Sequence, residues 1–323
     1  MTVLITGAGG MAGSHMAEKL FLRGETVIGT YYKPTTDISE LPDGIRMIEC
    51  DVRYAPSVEK IIMKYRPQQI YHLAAQSYPA VSWERPYETM ETNINGTIAV
   101  FEAVKSVRRL ADSSYDPMVV VACSSAEYGE TLNELEGEDV FVKETAQLKP
   151  LHPYGVSKAG QDLLSFQYYM NDHIRCIRAR IFNSTGTRKV NDVTSDFTYR
   201  AVKAEKDGTY RIRAGNLDSK RAIMDQRDLV YALLLLAEKG TAGDVYNISS
   251  EHIYKMSEIV QMIEKELGHT LEVESDPVLF RPADEKVIAG NIQKLKRDTG
   301  WKQEVPMEKT VADMLNYWRK KIS

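Results

Sequence analysis

Short apolar runs alternate with amphipathic stretches over the first 180 or so positions. Strands are predicted near Val3–Thr6, Thr26–Tyr31, Arg46–Glu49, Gln69–Leu73, Met118–Ala122 and Ile174–Arg180. Helices are predicted between them, near Gly10–Arg23, Pro56–Tyr65, Glu88–Val107 and Tyr154–Met170. Buried strands separated by helix-period segments are the signature of βαβ units. Right-handed crossovers in that order build an α/β fold with a doubly wound parallel sheet. Beyond about Asn183 the alternation is lost. Helices near Thr194–Glu205, Leu229–Glu238, Ser257–Leu267 and Val311–Lys320 mix with short strands such as Asp244–Ile248. The expected organisation is a sheet domain over residues 1–182 and a smaller C-terminal lobe over 183–323, with the chain crossing between them.

Composition narrows the partners. With 41 basic and 45 acidic residues the net charge is −4, so neither a nucleic-acid nor a membrane surface is expected. No apolar run approaches the roughly 18 residues of a membrane helix. The start MTVLITGAGG enters a fold element without leader features. Cys50, Cys123 and Cys176 lack disulfide or metal-ligand spacing. These features predict a soluble cytoplasmic protein with buried thiols and no metal. The acidic stretch Glu130–Glu144 reads as a solvated excursion.

The first strand runs into Gly7-Ala8-Gly9-Gly10-Met11-Ala12-Gly13 and then a helix. Gly7 permits the tight turn, Gly10 lets the backbone approach a pyrophosphate, and Gly13 lets helix and strand pack closely. The helix start at Met11 presents free N–H groups and a positive dipole end to phosphates. The second strand ends Tyr31-Tyr32-Lys33 without the carboxylate that marks NAD. Lys33, beside Tyr32, suits a 2′-phosphate, so NADP is favoured over NAD. Asp51, followed by Val52, ends the third strand where a carboxylate can accept from the adenine amine. Tyr154 and Lys158 lie four apart on one helix face. An adjacent ammonium lowers a phenol's pKa, making it a usable acid/base. The same spacing recurs at Tyr199/Lys203 and Tyr317/Lys321. Only Tyr154 opens a helix about thirty residues after paired serines, Ser124 and Ser125, at a strand end.

Gly7/Gly10/Gly13, Asp51, His72-Leu73-Ala74-Ala75, Asn93, Ser124 and Tyr154/Lys158 together resemble the extended short-chain dehydrogenase/reductase family over nearly the whole chain. The resemblance implies a Rossmann sheet with Tyr154 as acid/base and Lys158 holding the nicotinamide ribose. It also implies that Ser124 shares the substrate oxygen, that Asn93 supports the catalytic helix, and that Leu73, Ala74 and Ala75 line the cofactor. The helices near Glu88–Val107 and Tyr154–Met170 resemble those the family pairs into a homodimer.

Gln76–Trp83, Phe182-Asn183, Gly215–Arg221 and Arg281-Pro282-Ala283-Asp284 resemble GDP-mannose 4,6-dehydratases and GDP-4-keto-6-deoxy-mannose reductases. The implied substrate is a GDP-linked sugar. Arg221 and Arg281 would meet the diphosphate, Asp284 the ribose hydroxyls, and Ser77, Ser125 and Asn183 further substrate oxygens. A 4,6-dehydratase needs a carboxylate two positions after the catalytic hydroxyl. Here that position is Ala126, with Glu127 one place later; in an extended segment one step turns a side chain to the opposite face. The expected reaction is NAD(P)H-dependent reduction of a 4-keto-6-deoxy sugar. A 4,6-dehydratase, a nucleotide-sugar dehydrogenase or epimerase, and a non-catalytic cofactor-binding regulator remain alternatives.

Overall fold

The computed structural model describes residues 1–135, 140–276 and 287–322. Its central sheet uses β1 (Thr2–Thr6), β2 (Thr26–Tyr31), β3 (Arg46–Glu49), β4 (Gln69–His72), β5 (Met118–Ser124), β6 (Cys176–Ile181) and β11 (Val245–Ile248). These seven run in the order β11-β6-β5-β4-β1-β2-β3, and every neighbouring pair is parallel. The order reverses direction between β1 and β4, and clefts of doubly wound sheets open outside the carboxyl ends of strands at such a switch.

Both faces of the sheet are buried, which is why its strands read as nearly continuous apolar runs. Along β1, Val3 and Ile5 face one layer and Leu4 the other. The first layer is α1 (Met11–Leu22) and α9 (Gln226–Lys239), packed with Tyr71, Val120, Ile177 and Trp301. The second is α2 (Ala55–Tyr65) and α5 (Gly96–Leu110), joined by Tyr168 of α7 (Pro153–Asp172), against Ile28, Ile70, Val119 and Val121.

The segment expected as one helix over Glu88–Val107 is continuous helix with a π-type turn inside it. Short α3 (Pro79–Glu84) and α4 (Pro86–Met90) lead through a π-type turn at Glu91–Asn95 into α5. The extra residue of a π-type turn redirects a side chain, and the redirected one is Asn93. Its Oδ1 accepts from Gln76 N at 2.8 Å, and its Nδ2 donates to Ser157 Oγ at 2.8 Å. After β5, a tight turn and α6 (Glu130–Asn133) precede α7.

The C-terminal part does not follow a single cut after residue 182. Residues 183–323 supply α9, β11 and α11 (Gln293–Thr299) to the sheet side, where Leu295 and Trp301 join its core. A second core forms from α8 (Val193–Lys206), α10 (Met256–Leu267) and α12 (Met307–Ile322) with β8 (Arg211–Ala214). Short ladders complete that side. β7 (Ser184–Thr185) pairs β10 (Met224–Asp225), β13 (Glu272–Ser275) pairs β8, and β9 (Lys220–Ala222) lies between β12 (Ile253–Lys255) and β14 (Val287–Ile288). Asp225 ties the units together: it caps α9 through Arg227 N at 2.7 Å and accepts from Thr310 Oγ1 of α12 at 2.7 Å.

Trp301 is fully buried, and its Nε1 donates to Asp228 O at 3.1 Å. Trp301→Ala is expected to cost about 3–5 kcal/mol, the usual range for deleting a buried tryptophan. Denaturant or thermal unfolding checks this; a shift equivalent to less than about 1 kcal/mol would show that the site collapses without loss.

Candidate active site

The turn from β1 into α1 is forced by contacts that only glycine tolerates. Gly7 has φ +76°, and a Cβ there would lie 2.7 Å from Ala74 N; a Cβ on Gly13 would lie 2.3 Å from Gly7 O. Gly9, absent from the expected set, is equally constrained, at 2.7 Å from Pro34 Cβ. Gly10 is looser, its nearest neighbour at 3.4 Å, and it caps α1 without a side-chain bond. The first-turn N–H groups of α1 therefore face a cleft of about 1010 Å³. Its walls include Met11, Tyr32, Lys33, Asp51, Val52, Leu73, Ala74 and Ala75. This cradle fits a dinucleotide: a glycine floor for phosphates and, at the β2–β3 end, groups suited to a ribose.

At that end the sequence reading missed Arg53. It forks onto Asp51, with Arg53 Nε 3.0 Å from Asp51 Oδ1, and its guanidinium lies 5.7 Å from the Tyr32 ring centre. The Arg53 bond holds the Asp51 carboxyl below its ordinary range. Lys33 Nζ also lies near the Tyr32 ring, 5.2 Å from its centre, on a backbone with φ +47°. Two cations thus lie beside one tyrosine at the end of β2. The signal available in sequence was the Asp51-Val52-Arg53 spacing, whose simplest reading is an exposed arginine.

Ser124, Ser125, Tyr154 and Lys158 all line the same cleft. Ser124 ends β5, while Tyr154 and Lys158 lie on the first turns of α7, which His152 caps by accepting from Gly155 N at 3.0 Å. Lys158 is 3% exposed; its Nζ donates to Ala122 O at 2.7 Å and Gln161 Oε1 at 2.8 Å. That leaves one of its three protons, and the ammonium is 5.8 Å from the Tyr154 ring centre. Burial pulls Lys158 down to about 8. Tyr154 differs from the sequence expectation. Burial pushes its phenol up to about 12, outweighing the lowering by the Ser124 hydrogen bond. The Tyr199/Lys203 and Tyr317/Lys321 pairs repeat the stacking geometry at 5.8 and 6.0 Å, but neither is part of the cleft wall.

Asn93, which the resemblance places in support of the catalytic helix and near the cofactor, is not part of the cleft wall. It is fully buried behind the cleft, joining Gln76 to Ser157 of α7, so it braces rather than lines. Ser77, Asn183 and Arg221 do reach the cleft. Arg221 is buried on β9, donating to Lys220 O at 2.9 Å. Arg281 and Asp284 lie outside the described residues. Lys189, Asp192 and Arg200, not anticipated, add charge to the wall formed by the second unit. Asp192 caps α8, accepting from Thr194 N at 2.8 Å, and burial raises its carboxyl.

Residues 4–314 match the family model described as GDP-mannose 4,6 dehydratase. The chain belongs to this family. It is a nicotinamide-dependent enzyme of the extended short-chain dehydrogenase/reductase type. Among curated relatives, the GDP-6-deoxy-D-mannose reductase of Pseudomonas aeruginosa is 26% identical over 258 residues, covering 79% of this chain and 82% of the relative. The GDP-mannose 4,6-dehydratase of Vibrio cholerae is 23% identical, covering 97% and 92%. Among solved structures, UDP-glucose 4-epimerase of Thermotoga maritima with UDP-glucose superposes with a TM-score of 0.88 at 24% identity over both full chains. RMD from Pseudomonas aeruginosa complexed with NADPH gives 0.82 at 22% identity, covering 99% of each chain.

Because two cations lie beside Tyr32, Lys33→Ala and Arg53→Ala are each expected to weaken NADPH binding about tenfold or more while changing NADH binding little, since charge-assisted bonds of this kind contribute about 1.5–3 kcal/mol. Fluorescence titration with both cofactors measures this. A strong NADH preference that neither substitution alters would reject the assignment.

Proposed function

We propose that this enzyme uses NAD(P)H, with NADPH preferred, to reduce the ketone of a GDP-linked 4-keto-6-deoxy sugar. The observation that carries the reading is the turn after β5. It offers Ser124 and Ser125 to the cleft, while Ala126 stands where a dehydratase would need an acid. Glu127, the neighbouring carboxylate, is fully buried and its Oε1 accepts from Ser124 N at 2.8 Å. It is therefore held away from any leaving 6-hydroxyl.

The chain's own residues then have defined tasks. Ser124 Oγ and the Tyr154 hydroxyl, both in the wall of the one cleft, converge on the ketone oxygen. Tyr154 gives its proton to that oxygen as negative charge develops there. The bound nicotinamide supplies the hydride. Lys158 keeps positive charge beside the phenolate left behind, and its remaining N–H is available to the cofactor ribose. Arg221 and the cations of the second unit would receive the diphosphate, and Asn183 a sugar or phosphate oxygen. Run backwards, the same groups oxidise a sugar alcohol, with Tyr154 as base.

Reduction requires the protonated phenol. Its contribution is full below the Tyr154 pKa and is lost as pH rises through it, so turnover should fall on the alkaline side. Tyr154→Phe should lower turnover by about 10²- to 10⁴-fold with cofactor binding nearly intact; a variant retaining over a tenth of the rate would remove Tyr154 as the acid. Substrate choice is decided by incubating the protein with GDP-mannose and cofactor. No 4-keto-6-deoxy product is expected, whereas NAD(P)H should be consumed with the 4-keto-6-deoxy sugar. Formation of that product from GDP-mannose would establish a dehydratase instead.

We also propose a homodimer. Val156, Leu163, Phe166 and Met170 leave a large apolar strip exposed on α7, with Leu110 exposed at the end of α5. Light scattering at micromolar concentration should give about twice the chain mass of 36.6 kDa; a monomer would end this proposal.

A further inference from the structure

Beyond β4 the chain makes a short loop whose shape is set by one side chain. Gln76 folds back over the residue after next: Tyr78 N donates to its Oε1 at 2.6 Å, and its Nε2 donates to Tyr78 O at 3.1 Å. The same Nε2 donates to Thr89 Oγ1 of α4 at 2.9 Å, so both ends of the amide are used. Ser77 is therefore the apex of a closed loop over residues 76–78. It is exposed, it lines the cleft, and its hydroxyl makes no hydrogen bond among the described residues.

The loop is also tied to the helix that carries Tyr154. Gln76 N donates to Asn93 Oδ1 at 2.8 Å, and Asn93 Nδ2 donates to Gln76 O at 3.0 Å and to Ser157 Oγ at 2.8 Å. Ser157 Oγ donates in turn to Tyr154 O at 2.7 Å. An unbroken path of hydrogen bonds thus runs from Tyr78 through Gln76, Asn93 and Ser157 to the backbone of Tyr154. His72 of β4 lies opposite Val121 of β5, so this loop and Ser124 leave the sheet at the same edge.

We propose that Gln76 is a positioning residue that sets sugar recognition: its amide holds the Ser77 hydroxyl toward a ring hydroxyl of the nucleotide sugar, in fixed register with Tyr154. The inference rests on the reading of the cleft as a nucleotide-sugar site, but not on the direction of the reaction. Closing the loop takes one bond. Gln76 makes two to Tyr78 and a third to Thr89, while the residue those bonds display keeps a donor and an acceptor to offer. A hydroxyl fixed in this way loses little freedom on binding, so it can discriminate a sugar that offers a partner from one that does not. The diphosphate, assigned above to Arg221 and the cations of the second unit, should not depend on Gln76.

The test measures binding of GDP and of GDP-mannose by calorimetry, in the full chain with NADP bound and with Tyr154→Phe as the parent to prevent turnover. Gln76→Ala should weaken GDP-mannose about three- to tenfold, the loss of one neutral hydrogen bond, and change GDP by less than about twofold. Ser77→Ala should do the same. The double variant should lose no more than the larger single effect, because Gln76 acts through Ser77. Unchanged GDP-mannose binding in Gln76→Ala, an equal loss for GDP, or losses that add in the double variant would each overturn the proposal. If Gln76→Ala does not fold, Gln76→Glu decides. It keeps an acceptor for Tyr78 N but loses the Nε2 bonds, so it should show the same selective loss; parental affinity for both ligands overturns the proposal. If the parent binds neither GDP nor GDP-mannose, the guanine reading fails, and the same comparison with UDP and UDP-glucose judges Gln76. A parent that binds neither pair would overturn both.

Discussion

The geometry of the site begins with two places where atoms are too close for any side chain. Gly7 passes under Ala74, and Gly13 of α1 rests on the Gly7 carbonyl. These contacts bring β1, the start of α1 and the end of β4 to one point, which is also where the strand order switches. Everything else in the cleft is placed relative to that point. The helix N-terminus is aimed at it, Leu73 to Ala75 run past it, and β5 next door carries Ser124 to the same edge. Larger residues at Gly7 or Gly13 would push α1 off the sheet and close the space that phosphates need.

Behind this edge the interior is polar to an unusual depth. Lys158 is held by Ala122 O and Gln161, Asn93 links Gln76 to Ser157, and Arg180 spans Asp162, Tyr128 and the Glu144 carbonyl. Removing one member of such a network leaves others buried and unpaired, a cost larger than the bond itself. Three elements therefore constrain α7 from behind, and the Lys158 side chain is held before any ligand arrives.

The sequence made the sheet legible because its strands are buried on both faces and its helices on one, so the two periodicities differ plainly. The glycine spacing and the Tyr154/Lys158 pair were legible because each has a local chemical reason. Residues whose function comes from distant partners were not. Asn93 was placed in support of the catalytic helix only by resemblance; that it does so from a π-type turn, through Ser157, no local pattern showed. Arg53 drew no reading at all, yet it forks onto Asp51. Glu127 read only as a carboxylate one place out of step, because its partner Arg180 lies far along the chain on a neighbouring strand. Where the chain crosses back to the sheet after residue 182 was not legible for a similar reason: α9 and β11 have the same local pattern as elements of the second unit, and only pairing with β6 assigns β11 to the sheet.

That pairing has a consequence for how the chain acquires its structure. β11 is made only after α8, β8, β9, β10 and α9 have been synthesised, so β6 must wait as an open edge while the intervening segment is produced. An open, apolar edge strand is a template for pairing with another chain, and contacts of long sequence separation form slowly. During synthesis the nascent protein passes through a stage in which its nucleotide-binding half is nearly whole but its last strand is missing. That stage, rather than the finished molecule, is where aggregation threatens it, and where a chaperone or slowed translation would have most to offer.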